Sequence, residues 1–114
     1  MITAGQVNVL VGRNVQLICF AQYSIYIHLQ GGATLTVEAG CEHIHDGKCK
    51  VYRLSSPIEE SSLMSILEST IASITIEANG ELRLVFSNGD TLRIYKEPQY
   101  ESYRLKIGSE ESIA

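Results

Sequence analysis

The sequence predicts a mainly β protein: an antiparallel β-sandwich or open barrel of two pseudo-repeated halves, with one α-helix. Three observations predict it. Apolar residues alternate with polar ones along most of the chain, the period of a half-buried strand. Turn dipeptides punctuate that alternation at Gly31-Gly32, Asp46-Gly47, Asn79-Gly80 and Asn88-Gly89. A single segment carries the 3.6 period of a helix. The 114 residues fit one domain spanning 1–114, long enough to bury a core without disulfide or metal staples.

Taken in order, Val7, Val9 and Val11 suggest an N-terminal strand. Ile25–Leu29 and Thr34–Val37 flank the Gly31-Gly32 turn, and Lys50–Leu54 ends the first half. Ser56-Pro57-Ile58-Glu59 then offers a cap residue, a proline at the first helical position and a capping-box glutamate. Leu63, Ile66, Leu67 and Ile71 follow at helical spacing, which predicts a helix near residues 57–69. In the second half Ile74–Ile76 precedes Asn79-Gly80, and Leu82, Leu84 and Phe86 alternate with Arg83, Val85 and Ser87. Asn88-Gly89 predicts a tight I′ hairpin turn, which needs positive φ at both central residues. Thr91–Tyr95 returns antiparallel, Ser102–Ile107 makes a last strand, and the polar tail Ser109–Ala114 is expected to fray. The total is about ten strands.

The chain echoes itself at an offset of 57 residues, Val15–Glu38 lying over Ala72–Tyr95 without a gap. This is the pseudo-repeat of residues 15–38 and 72–95. Leu17 falls on Ile74, Cys19 on Ile76, Leu29 on Phe86 and Gly32 on Gly89. The expected core face of the first copy is Leu17, Cys19, Ile25, Ile27, Leu29, Leu35 and Val37. The opposite face carries Ile18, Phe20, Tyr26 and His28 and needs a cover, either the helix or a second subunit docked on the Phe20/Tyr26 face.

Nine Lys+Arg against thirteen Asp+Glu give a net charge of −4. An acidic chain of pI near 5.3 argues against a nucleic-acid binder. Residues 58–114 hold ten of the acids and five of the bases, a balance that suits a basic protein partner through steering, or simply a solvated surface. Residues 14–37 contain no Asp, Glu, Lys or Arg, but polar residues from Asn14 to Gln30 interrupt them at strand period, so no membrane span is expected. The N-terminus has no basic stretch followed by an apolar run, so no signal peptide is visible. Three cysteines are an odd count and read as free thiols in a reducing cytoplasm.

The densest chemical constellation is Cys41-Glu42-His43-Ile44-His45-Asp46-Gly47-Lys48-Cys49. Extended, it projects Cys41, His43 and His45 from one face, and a turn at Asp46-Gly47 could return Cys49 toward them as zinc ligands. It lacks paired CxxC spacing, so a solvated hairpin is the expected reading, with no metal and no cofactor. A small metal- or ligand-binding β-protein using Cys41–Cys49 is the alternative function. No GxSxG, Walker loop, HExxH or GxGxxG occurs, and a Cys41 or Cys49 thiolate beside His43 would need a third orienting group, so an enzyme is not expected. His28 reads as a satisfied sheet histidine.

The second notable run is Pro98-Gln99-Tyr100-Glu101-Ser102-Tyr103-Arg104-Leu105. An acid flanked by tyrosines can anchor a basic partner, because tyrosine adds contact area at little entropic cost and a carboxylate binds arginine at two points. Candidate partner contacts are Asp90, Glu97, Tyr100, Glu101 and Tyr103. The internal alternative has Glu101 accepting from the Asn88-Gly89 turn or pairing with Arg93.

The stretch Gly80–Ile94 followed by Tyr100–Leu105 resembles a family of small bacterial β-rich domains ending in a Tyr-Glu-Ser-Tyr-type motif. Related domains serve as immunity partners of contact-dependent or polymorphic toxins. The resemblance implies a non-enzymatic protein-binding module, an immunity protein that neutralises a cognate toxin, such as a basic nuclease domain, by occluding its active site. A structural module that only dimerises is the third reading.

Overall fold

The computed structural model describes residues 2–54, 61–98 and 101–114. Among these, ten strands form two open antiparallel sheets of five that share one apolar core, a sandwich and not a closed barrel. In spatial order the first sheet is β1 (Val15–Phe20), β2 (Ile25–Leu29), β3 (Ala33–Val37), β9 (Tyr103–Ile107) and β10 (Glu110–Ile113). The second is β5 (Lys48–Arg53), β4 (Gly40–His45), β8 (Thr91–Ile94), β7 (Leu82–Phe86) and β6 (Ile71–Ile76).

Each half of the chain makes a three-stranded meander and then a hairpin, and each hairpin completes the other half's sheet. The β4–β5 hairpin pairs with β8, and the β9–β10 hairpin pairs with β3. Alternation places Ile25, Ile27, Leu29, Leu35 and Val37 of one sheet against Leu82, Leu84, Phe86, Leu92 and Ile94 of the other, all buried.

The strand registers show how the halves correspond. Ile27 lies opposite Leu35 and Ile18, and Leu84 lies opposite Leu92 and Ile74. The β2–β3 and β7–β8 hairpins therefore keep the offset of 57, but Ile18, not Leu17, stands where Ile74 stands. Both first strands carry a bulge at the same place, between Val15 and Leu17 and between Ile71 and Ser73, so the change of offset comes from the longer connection after β6. A bulge reverses alternation beyond it. So Leu17, expected in the core, is 52% exposed, and Cys19 joins Tyr26 and His28 on the outer face. Ile18 turns inward, and Phe20 takes the parity of Ile25, so Phe20 and Tyr26 do not share the single face expected of them.

The two first strands meet at an isolated bridge between Asn14 and Thr70, themselves corresponding residues 56 apart. Around it the backbone bonds come in reciprocal pairs. Gly12 N–H donates to Ile71 O (2.7 Å) and Glu68 N–H to Val15 O (2.8 Å); Val15 N–H donates to Ser69 O (2.8 Å) and Ile71 N–H to Arg13 O (3.0 Å). Gly12 and Glu68 hold the same place, both left-handed, at φ 86° and 68°.

Several expected elements differ. In place of the expected N-terminal strand stands a short helix, α1 (Ala4–Asn8), which holds Val7 and is followed by a turn through Val9 and Val11, because Thr3 and Gln6 cap it reciprocally and outcompete the alternating pattern. The helix expected near 57–69 is a single 3-10 turn, Leu63–Ile66, which Leu67 ends in an extended conformation; its Ser56–Glu59 start lies outside the described residues. Leu63 and Ile66 point into the core beside β1, so this turn does not cover the outer face of the first sheet. Asn88-Gly89 is not an I′ turn: only Gly89 has positive φ, and Phe86 N–H donates to Asp90 O across a three-residue loop. The I′ geometry occurs at Asp46-Gly47, with φ of 49° and 74°. The tail is not frayed, since β10 pairs along β9.

Candidate functional site

Strand β4 points Cys41 and His43 inward, and His45 continues that face at its end. Across the sheet Ile44 lies opposite Thr91, which sets Asp90, at the mouth of the β7–β8 hairpin, beside both histidines. The hairpin aims Asp90 locally: its N–H donates to Asn88 Oδ1 (2.9 Å), and Asn88 Nδ2 donates to Ser65 O in the 3-10 turn (2.8 Å).

The result is a polar cluster that runs from the apolar core to the surface, where the His45 side chain is 44% exposed. Asp90 is 2% exposed and His43 1%. His43 Nε2 donates to Asp90 Oδ2 (2.7 Å), His45 Nδ1 donates to Asp90 Oδ1 (2.6 Å), and Ser65 Oγ donates to Oδ2 (2.5 Å). On its other edge His43 Nδ1 meets Ser62 Oγ at 2.6 Å, and Ser62 Oγ meets Tyr52 OH at 3.0 Å, while Ser62 N–H donates to that same phenol (2.6 Å). The imidazoles stack 6.1 Å apart.

Electrostatics follow from these contacts. Burial opposes the charge on Asp90, but hydrogen bonds from Ser65, His45, His43 and Asn88 outweigh it and hold the carboxyl at about 2. The Asp90 hydrogen bond raises His45 above its ordinary value against a smaller desolvation effect, helped by Asp46, whose Oδ2 lies 3.3 Å from His45 Nε2. Ser62, His43 and Asp90 stand in the hydroxyl–imidazole–carboxylate order that activates a nucleophile. Here Ser62 Oγ is held between His43 and Tyr52, and Asp90 divides itself among three donors. These contacts tie the 3-10 turn to the second sheet.

The correspondence of the halves supplies an internal comparison. Where the second sheet has Asp90, His43 and His45, the first has Ala33, Leu105 and Ile107. Where the 3-10 turn has Ser62 and Ser65, the α1 region has Gln6 and Val9. That side is a depression of about 370 Å³ lined by Gln6, Val9, Leu105 and Ile107. The fold therefore does not require a polar cluster at this place.

The expected site residues fall apart. Cys49 lies opposite Ile44 and faces away from Cys41, His43 and His45, so the four cannot converge; its thiol donates to Glu42 (3.2 Å). Burial, with Glu42, pushes Cys41 up to about 12, which leaves no thiolate for His43 at neutral pH. Asp90 is interior, committed to His43, His45 and Ser65. Tyr103 is likewise 2% exposed, its hydroxyl donating to Gly80 O (2.8 Å). Tyr100 lies outside the described residues. Glu97 and Glu101 are exposed. Glu101 accepts from Arg104 Nη2 (2.7 Å), not from the Asn88-Gly89 turn or Arg93; Arg93 instead lies 3.8 Å from Glu42.

Sequence reasoning missed the surface around Arg104. Its guanidinium also donates to Glu38 and Glu111. A lateral row across the outer face of the first sheet runs Cys19, Tyr26, Thr36, Arg104 and Ile113, and the next runs Leu17, His28, Thr34, Lys106 and Glu111. Between them lies a depression of about 510 Å³ lined by Tyr26, Thr34, Thr36, Glu38, Arg104 and Glu111 among others. The pairing of β3 with β9 builds this surface and joins residues more than sixty positions apart.

No helix among the described residues is long and apolar enough to cross a membrane. Residues 7–114 match the model of a protein family described as a family of unknown function, DUF6188. No curated protein and no solved structure matches the chain.

Proposed function

Starting from the premise that the chain belongs to the DUF6188 family of unknown function, we propose that it is a non-enzymatic protein-binding module. The outer face of the first sheet is its contact surface. One observation carries this reading: Asp90 and His43 are buried and satisfied, whereas this face leaves large contact groups in solvent. Leu17 is 52% exposed on edge strand β1 and Tyr23 53% exposed beyond its end. Tyr26 and the carboxylates of Glu38, Glu101 and Glu111 adjoin them across the sheet. Aromatic and aliphatic anchors beside acids suit a partner with a basic segment. The finer form is an immunity protein that occludes a basic toxin domain, supported by the resemblance of Gly80–Ile94 and Tyr100–Leu105.

The test is binding of the product of the adjacent gene, measured for the wild type, Leu17→Asp and Tyr26→Ala. Each variant should weaken affinity at least about tenfold, the loss of roughly 1.4 kcal/mol at a contact anchor. Equal affinity in both variants, or turnover of a small substrate, would overturn the reading.

A further inference from the structure

We propose that the chain self-associates edge to edge, with the basic strand β5 of one copy adding to the acidic strand β10 of the next. The two sheets have four edge strands. An edge presents unpaired backbone donors and acceptors, and bulges and charge are the usual means of keeping other strands away from it. β1 and β6 each carry a bulge. β5 and β10 carry none: each runs along its inner neighbour without a break in register.

These two straight edges hold corresponding places in the two halves, each the second strand of the hairpin that crosses to the other sheet. Had the halves kept the same residues there, the edges would carry the same charge and repel. They carry opposite charge instead. β5 has Lys48, Lys50 and Arg53; β10 has Glu110 and Glu111. Lys48 and Glu110 occupy matching positions, each the first residue after its hairpin turn, opposite His45 and Ile107 respectively.

Like edges therefore repel and unlike edges attract, and one chain supplies both. That complementarity commits the occupant of each edge to a second copy. Main-chain hydrogen bonds supply adhesion in such strand addition, and the charges select the pairing. The contact is heterologous, so it builds rings or open arrays and not an isologous dimer. It shares Glu111 with the outer-face surface proposed above, and its test uses Lys48 and Glu110, which lie outside that surface.

The experiment is sedimentation velocity over a concentration series at low salt and at ~0.5 M salt, on the wild type, Lys48→Glu, Glu110→Lys and an equimolar mixture of the two variants. Circular dichroism confirms that each is folded. The wild type should associate at low salt, with a dissociation constant at least about tenfold weaker at high salt. Lys48→Glu cuts β5 from three positive charges to a net +1 and Glu110→Lys leaves β10 neutral, so each alone should associate more weakly than the wild type, and the mixture, which brings an unaltered β5 to an unaltered β10, should associate more tightly than either variant. Should either reversal fail to fold, Lys48→Ala and Glu110→Ala replace them, each expected to weaken association. A wild type that stays monomeric at low salt, association indifferent to salt, variants that associate alone as the wild type does, or a mixture no better than its components would each overturn the proposal.

Discussion

Replacing Asp90 by Ala removes the acceptor shared by His43, His45 and Ser65. Breaking a buried charged set by deleting one member costs about 3–5 kcal/mol, and here the lower end applies, because His43 stays buried without its acceptor while His45, 44% exposed, can turn to water. A second route gives a smaller figure of the same order. A carboxyl held at about 2 in the fold, against 3.8 ordinarily, contributes about 2 kcal/mol at neutral pH. We therefore expect Asp90→Ala to lose about 3 kcal/mol in urea unfolding at pH 7. The folded value is depressed, so this contribution is complete above the ordinary carboxylate range and lost as pH falls through the folded value. The gap between wild type and Asp90→Ala should thus close between about pH 5 and pH 2. The other half supplies the control. Asp90→Ala combined with His43→Leu and His45→Ile installs the residues that the first sheet carries at Ala33, Leu105 and Ile107. That triple variant should recover to within about 1 kcal/mol of the wild type or exceed it, since well-packed apolar groups replace buried ion sets at little or no loss. The reasoning fails if the triple variant is as damaged as the single one, or if Asp90→Ala costs under about 1 kcal/mol at pH 7.

Other outcomes follow from single features. Glu68 holds a left-handed φ of 68° where the other half has Gly12, so Glu68→Gly should raise stability by about 0.5–1 kcal/mol in urea unfolding. Glu101 is one of three carboxylates on Arg104 and is itself 53% exposed; Glu101→Ala should cost less than about 1 kcal/mol, and less again at high salt. His45 is raised above its ordinary value, so its contribution is present below that value and fades as pH rises through the folded one; His45→Gln should differ most from wild type under mildly acidic conditions. Cys41, buried and pushed up to about 12, should resist thiol reagents at pH 8 until the protein unfolds, whereas exposed Cys49 should be labelled in the native state.

The sheets were legible because alternation is a local property. Ile25 to Val37 and Leu82 to Ile94 face inward as their period requires. The first strand of the first copy is not legible because a bulge adds one residue without changing composition, and Val15-Gln16-Leu17 gives no sign of where alternation breaks. The α1 helix was signalled by Thr3 and Gln6, the spacing of a capping box, but the run of valines hid it. The His43–Asp90–His45 cluster was half legible. Both ends stand out in the sequence, the histidines in the Cys41–Cys49 run and Asp90 beside the Asn88-Gly89 turn, but as separate features. What joins them is the pairing of β4 with β8, a contact between halves that no local pattern specifies. The same holds for Arg104, whose partner Glu38 lies in the other half of the chain.

The crossing of hairpins between halves makes each half an incomplete object. A chain severed between β5 and the 3-10 turn would yield two pieces, each with three strands of one sheet and two of the other. In each piece the meander ends on a raw inner strand, β3 or β8, and the hairpin has nothing to lie against. Val37 meets Tyr103 only when both pieces are present, and Cys41 meets Ile94 on the same condition. The pieces are thus one another's missing parts, so co-expressed fragments have the means to reconstitute the native sandwich. A single fragment could satisfy its own strands only by exchanging hairpins with a second copy of itself. The junction between the halves then converts a mutual embrace of two chains into the architecture of one.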